Sequence, residues 1–232
     1  MGPPWLLIVC FGPWMKLLWE KFTNAEVAPR RKEICLGDPF SLTMGLRGGL
    51  TSRAGYVAAR REDLPEKAAD YMEKLAIPYF AAAVNWYETI CIGMTGGALY
   101  ETIEHVIPRA EYGWSLNPGH LTSSEEWLAS PVFKDSGIPL KSGMMLQMDI
   151  LPKRVGYGGA NAEDGIVLAD RTLQQELARE YPRVWQRMCE RKRYMKEELG
   201  ITLKDEVFPL SDAAGYYRPW LFKKSHAFYK EI

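Results

Sequence analysis

The stretch of residues 142–169, SGMMLQMDILPKRVGYGGANAEDGIVLA, carries the sequence signals on which the expected fold depends most. Its first apolar run, Met144 to Leu151, and its second, Glu163 to Ala169, both predict strands. Three closely spaced glycines lie between the runs and favour a turn. We therefore expect a hairpin-like antiparallel pair, with Asp149 near the end of one strand and Glu163 at the start of the other.

These two carboxylates indicate a site, because a carboxylate in an apolar strand costs free energy unless it is paired, hydrogen-bonded or bound to a metal ion. His120 is the histidine that best completes the group, since it lies in the turn-rich stretch Leu116-Asn117-Pro118-Gly119-His120-Leu121. One imidazole and two carboxylates suit either a divalent metal ion or acid–base catalysis. Each residue taken alone also fits a purely structural role, as a strand-end acid bound to turn amides or a loop histidine.

Helical spacing of apolar residues predicts helices over 64–90, 96–107 and 172–199. Residues 33–59 instead predict strands and turns. The expected fold class is therefore α+β, an antiparallel sheet backed by helices.

The predicted helices have recognisable start and stop signals. Asp63 is expected to cap the first helix and Thr95 the second, while Thr172 begins a capping-box pattern before the third. Pro78 is expected to kink or split the first helix, and Pro182 to divide the third.

The composition of the chain limits the classes of partner that we expect it to bind. The 232 residues include 29 basic and 29 acidic side chains, so the absence of net charge argues against a dedicated nucleic-acid binder. The apolar run from Trp5 to Phe11 is too short to cross a membrane, and neither a basic residue before it nor a clear cleavage site indicates a signal peptide. Four cysteines without a CxxC pair suit a reducing compartment. We expect a cytoplasmic protein with neither a membrane nor a nucleic acid as partner.

Three motifs resemble the later half of the pita-bread family, which includes methionine aminopeptidase, aminopeptidase P, prolidase and creatinase. The metallopeptidases of that family show G-H-G-I-G, then P-G-M-x-x-x-x-E, then R-x-E-D-T-x-x-V. The corresponding stretches here are Gly119-His120, then Ser142-Gly143-Met144 with Asp149, then Ala162-Glu163-Asp164 with Ile166-Val167. The resemblance covers about residues 33–200. It implies the pita-bread fold, a hydrolase ancestry, and His120, Asp149 and Glu163 as the site residues.

The first half of the chain departs from the family pattern. Gly37-Asp38, Gly45 and Arg53 resemble the family's strand pair, and this alignment places Thr43 and Leu50 where the family has two aspartate ligands. The second histidine of the family, in H-E-x-P, is absent. The resemblance thus implies an incomplete two-metal centre. It leaves either one divalent ion (Mn, Zn, Co or Fe) at the three site residues or no metal.

Three functions remain open at this stage. The first is a metal-assisted hydrolase resembling aminopeptidase P or prolidase, which would cleave a peptide bond next to proline. The second is a metal-independent C–N hydrolase of the creatinase type, in which His120 transfers a proton and Glu163 or Asp149 assists. The third is a catalytically inactive homologue that serves as a binding or interaction module.

The expected domain organisation has three parts. Residues 1–36 form an atypical or truncated N-terminal segment, 37–200 the pita-bread domain, and 201–232 an irregular extension packed on it. A homodimer is expected, because members of the resembled family often dimerise.

Overall fold

The computed structural model describes residues 5–11, 33–46, 49–122 and 129–231. The expected N-terminal segment, 1–36, lies for the most part outside these residues. The strands are β1 (Trp5–Phe11), β2 (Pro39–Leu46), β3 (Gly49–Tyr56), β4 (His120–Leu121), β5 (Met145–Met148), β6 (Asn161–Leu168) and β7 (Val207–Pro209). The α-helices are α1 (Ile77–Thr89), α2 (Gly96–Val106), α3 (Arg109–Tyr112), α4 (Arg171–Glu180) and α5 (Pro182–Glu197).

The described strands form one antiparallel sheet in the order β1-β2-β3-β6-β5-β4. Strand β6 organises the sheet, because it pairs with β3 through its first residues and with both β5 and β7 through its last. The predicted hairpin-like pairing of the stretches around Asp149 and Glu163 is confirmed. Its first strand is shorter than expected, since β5 ends at Met148.

The segment before α1 differs from the prediction. A π-helical turn, Met72–Ala76, leads directly into α1, and Pro78 lies in the first turn of that α-helix, where its missing N–H costs little. The expected cap at Asp63 is wrong. Its carboxylate accepts hydrogen bonds from the backbone N–H groups of Ala59 and Arg60, so it closes the turn that precedes it.

The later helices follow the predicted pattern with one change. The Thr95 hydroxyl caps α2 by accepting from the Ala98 N–H at 3.2 Å, as expected. The expected cap at Thr172 is wrong, because the Asp170 carboxylate takes the Leu173 N–H at 2.9 Å and starts α4 one residue earlier. Pro182 begins α5 and thereby separates it from α4, as expected.

The C-terminal residues contribute more than an irregular surface segment. Strand β7 extends the sheet beside the second half of β6, where β3 no longer pairs. The side chains of Leu203, Val207 and Tyr217 are buried in the main core. These residues were expected to form an irregular surface segment, and their apolar character explains why they are buried instead. The open edge of β6 offers them both backbone partners and an apolar surface.

The main core lies between the sheet and the helices that precede β4. The fully buried side chains of Tyr71, Tyr79, Trp86 and Tyr87 supply its centre. No described helix is both long and apolar enough to cross a bilayer.

Candidate functional site

The strand register collects polar side chains on one face of the sheet. Ser52 pairs with Glu163, Gln147 pairs with Gly165, and His120 pairs with Gln147. Because side chains alternate along a strand, these residues and their neighbours two positions away share a face. The polar residues of this face are Ser41, Thr43, Ser52, His120, Gln147, Asp149, Asn161 and Glu163. The opposite face carries Leu146, Met148, Ala162 and Ile166 into the core.

The structure brings together all three residues singled out in the sequence. The Nε2 atom of His120 lies 3.6 Å from Oδ2 of Asp149 and 3.7 Å from Oε1 of Glu163. Potential ligand atoms of the three residues all lie within 4.8 Å of one another. All three are buried, with exposed fractions of 2%, 2% and 5% for His120, Asp149 and Glu163. The arrangement could hold a metal ion.

The imidazole of His120 is oriented by the backbone. Its Nδ1 atom lies 3.0 Å from the carbonyl oxygen of Leu121, and since a carbonyl can only accept, Nδ1 carries the proton of that hydrogen bond. Nε2 is buried, has no hydrogen-bond partner among the residues that the structure describes, and faces the two carboxylates. Neutral His120 would therefore present a lone pair to two anions, so the site requires a proton or a cation at Nε2.

The same surroundings set the protonation of His120. Burial alone would lower its pKa, but the carboxylates of Asp149 and Glu163, together with the Leu121 carbonyl, outweigh that effect and raise the pKa to about 10. Without a metal ion, His120 is therefore a protonated imidazolium at neutral pH, and it lies between the carboxylates of Asp149 and Glu163.

Two amide side chains that the sequence analysis missed hold the carboxylates. Asn161 donates from Nδ2 to Oδ1 of Asp149 at 3.3 Å, and Gln147 donates from Nε2 to Oε1 of Glu163 at 3.4 Å. Gln147 also donates to the carbonyl oxygen of Leu50 at 3.1 Å. The signal was available in the alternation, because each amide lies two residues before one of the acids and so shares its face.

An ion pair on the other side of the sheet fixes the strand that carries Glu163. Arg53 contacts the neighbouring Asp164, with 2.5 Å between Nη2 and Oδ2, and also donates to the backbone carbonyl of Glu163 at 3.0 Å. Thr51 and Ser211 donate to Oδ1 of Asp164. Burial raises the pKa of Asp164, and the Arg53 charge opposes that rise. The adjacent acids of the Glu163-Asp164 motif thus have separate environments, one in the candidate site and one in a buried ion pair.

The strands of the first half add two hydroxyl groups to this face. Thr43 Oγ1 lies 3.0 Å from Ser52 Oγ, and the two hydroxyls satisfy each other. Leu50 contributes its backbone carbonyl, to Gln147, and its side chain offers no ligand atom.

A cavity of about 420 Å³ opens on the same face of the sheet, and none of the three site residues is among the described residues that line it. Ser41, Ser52 and Asn161 line it from the strands, and residues 151–160 line it from the loop between β5 and β6. Asn161 therefore links the cavity to Asp149. Cavities of about 300–1,000 Å³ are typical of sites for small ligands.

The two separations from His120 Nε2 to the carboxylates suit a tetrahedral metal ion. Two ligands at about 2.1 Å from such an ion lie about 3.4 Å apart. The separations of 3.6 and 3.7 Å from His120 Nε2 are close to that value. Nε2 is also one of two buried side-chain nitrogens without a hydrogen-bond partner among the described residues, so a cation there would satisfy it.

Comparisons with known proteins identify the fold. No protein-family model and no curated protein matches this sequence. A dipeptidase PepE from Mycobacterium ulcerans superposes with a TM-score of 0.54 at 16% identity, over 71% of this chain and 42% of that one. An Xaa-Pro dipeptidase from Bacillus anthracis gives 0.52 at 20% identity, over 69% and 43%. A dipeptidase from Pyrococcus horikoshii OT3 gives 0.50 at 22% identity, again over 69% and 43%.

These similarities confirm the expected fold class: the chain has the pita-bread fold, an antiparallel sheet with helices. The chain covers only about two fifths of the length of these solved structures, 42–43% of each.

Proposed function

We propose that this protein is a prolidase-like hydrolase whose site holds one divalent metal ion between His120, Asp149 and Glu163. The observation that carries the proposal is the buried, unpartnered Nε2 of His120, which faces the two carboxylates at ligand-like separations. The three solved structures named above are dipeptidases, one of them an Xaa-Pro dipeptidase, and they share this fold.

We assign separate roles to the residues of the site. His120, Asp149 and Glu163 hold the ion, for which Mn, Zn, Co and Fe are the candidates. Asn161 and Gln147 keep the carboxylates oriented, as outer partners of metal ligands commonly do. When bound, a divalent ion in a site with three protein ligands lowers the pKa of a water molecule and polarises a carbonyl group. The neighbouring cavity receives the peptide.

We assign a single metal ion because the sequences of β2 and β3 contain no aspartate, glutamate or histidine that could form a second set of ligands. Thr43 is paired with Ser52, and Leu50 has an aliphatic side chain. A divalent ion prefers anionic or imidazole ligands over an aliphatic side chain.

The protonation of His120 supports a second candidate function. A pKa of about 10 makes the metal-free imidazolium a proton donor at neutral pH. His120 could then protonate the leaving nitrogen of a small substrate with a C–N bond, with Asp149 or Glu163 as the base, without a metal ion. Creatinase-like hydrolysis is therefore the alternative that the test must separate.

The experiment is a hydrolysis assay on Xaa-Pro dipeptides and on guanidino compounds, each with Mn²⁺ and with a chelator. The His120→Ala variant removes the proposed ligand, and His105→Ala, at an exposed position on α2, is its matched control. The proposal expects metal-dependent cleavage of Xaa-Pro dipeptides that only His120→Ala abolishes. Chelator-resistant cleavage of guanidino compounds would replace it with the alternative. No cleavage of either substrate class would leave the inactive binding homologue.

A further inference from the structure

The backbone pairing of the two strands that carry the carboxylates ends beside the site. The register of β5 and β6 runs from the pair Met145 and Val167 to the pair Met148 and Asp164. Asp149 and Glu163 follow directly on the two strands, and both face Nε2 of His120. Beyond this last pair the ladder of β5 and β6 gives way to other contacts, and β3 pairs with residues 161–163 on the other edge of β6.

Tyr79 reaches β6 at this point from helix α1. Its hydroxyl oxygen accepts a hydrogen bond from the backbone N–H of Ala162 at 2.6 Å. Ala162 lies between the two residues of β6 that serve the site, Asn161 and Glu163. Because successive side chains of a strand alternate, Ala162 faces the core while its two neighbours face the site.

The environment of Tyr79 keeps it rigid. The side chain is fully buried, and its ring packs edge-on against the ring of Tyr217 with 5.2 Å between centroids. Burial raises the pKa of Tyr79 far above its ordinary value, so the phenol stays neutral and its oxygen remains a hydrogen-bond acceptor for Ala162.

We propose that Tyr79 is a positioning residue of the candidate site: by fixing the backbone at Ala162, it sets Asn161 and Glu163 opposite Asp149. The inference rests on the proposed function, because it assigns Tyr79 a role in holding a metal site. The hydroxyl touches neither the metal position nor a substrate. It acts through the strand, in the gap where β5 and β6 no longer pair.

The test compares Tyr79→Phe with Tyr217→Phe in the full chain. Tyr79→Phe keeps the ring and removes the acceptor of the Ala162 N–H. Tyr217→Phe removes a buried hydroxyl of the same aromatic cluster, which pairs with Tyr71 Oη at 3.0 Å and makes no hydrogen bond with β6. We expect the dissociation constant for Mn²⁺ to rise about tenfold or more in Tyr79→Phe, the size of effect seen for outer partners of metal ligands, and to change little in Tyr217→Phe.

Hydrogen–deuterium exchange in the metal-free proteins gives an independent measurement. The Ala162 amide should be protected in the wild type and should exchange faster in Tyr79→Phe alone. If Tyr79→Phe fails to fold, the exchange rate of the Ala162 amide in the wild-type protein is the test. Fast exchange of that amide contradicts the positioning role of Tyr79, and protection supports it.

The remaining outcomes are distinct. Equal Mn²⁺ affinity and equal exchange in Tyr79→Phe and the wild type would overturn the inference and leave the metal site intact. Equal losses in both variants would show a general effect on the core and would also overturn it. If the wild type binds no Mn²⁺, the proposed function itself fails, and the positioning role falls with it.

Discussion

Oδ2 of Asp149 lies 3.6 Å from Nε2 of His120, and no side chain or backbone group in the described part of the chain forms a hydrogen bond with that nitrogen. Glu163 stands at nearly the same distance on the neighbouring strand. Both carboxylates and the imidazole are buried, so the electrostatic cost of leaving the site without a proton or cation is high. The function of the site therefore depends on whether a proton or a metal ion lies between His120 Nε2 and the two carboxylates.

Replacing Glu163 should weaken metal binding, whereas replacing the adjacent Asp164 should destabilise the fold. Glu163→Gln removes a metal ligand, so we expect Mn²⁺ affinity to fall by at least about tenfold with the fold retained. Asp164→Asn leaves Arg53 without its buried partner, and we expect a loss of about 3–5 kcal/mol in the free energy of unfolding. Calorimetric metal titration and urea unfolding of both variants measure the two effects. Loss of stability in Glu163→Gln comparable to that in Asp164→Asn would contradict the separation of roles.

The stability of the metal-free protein should depend on pH through His120. Its pKa is raised from 6.5 to about 10 in the folded protein, so the fold retains a proton that the unfolded chain has released. This contribution to the free energy of unfolding is fully present below pH 6.5 and is lost as pH rises toward 10. Urea unfolding in the presence of a chelator should show a steeper loss over this range for the wild type than for His120→Asn. Parallel curves would show that the carboxylates do not hold the imidazolium.

The two amides should matter for metal binding more than for folding. Gln147→Leu and Asn161→Leu each remove one hydrogen bond to a carboxylate of the site. We expect each to weaken Mn²⁺ binding by about 10- to 100-fold. The exposed Gln186→Leu, on α5, is the matched control and should bind as the wild type does. Unchanged affinity in both amide variants would mean that the carboxylates need no such support.

Filling the cavity should separate substrate binding from metal binding. Ser41 lines the cavity from β2, which β3 separates from the strand that carries Glu163. Ser41→Trp should raise the KM for a dipeptide by about tenfold or more while Mn²⁺ binding stays unchanged, because the added ring occupies space that the ligand needs. An unchanged KM would place the substrate elsewhere.

The paired strands could be predicted from the sequence because their signals are local, and the structure brings His120, Asp149 and Glu163 together, while their roles stay a prediction. The apolar runs on either side of the glycine turn at 156–159 predicted the paired strands, and the carboxylates within those runs stood out against them. The strand register then supplied what the sequence could not. The 2.6 Å contact between Tyr79 and Ala162 joins residues far apart in the chain, and no spacing rule anticipates it.

The errors of the sequence analysis also have physical causes. Asp63 and Thr172 both match the residue preference of a helix cap, yet each lies within reach of a competing turn or cap. Val207 and Phe208 were assigned to an irregular segment because a strand of three residues is too short to show alternation. Its partner, the free edge of β6, becomes evident only in the folded sheet.

The most direct test of the central claim is the metal stoichiometry of the purified protein. Wild type and His120→Ala would be equilibrated with Mn²⁺, dialysed against metal-free buffer and assayed by elemental analysis, with His105→Ala as control. If the proposed one-metal site is correct, the wild type and His105→Ala each retain one tightly bound ion per chain, and His120→Ala retains none. A wild-type protein that retains no ion, or one that retains two, would contradict it.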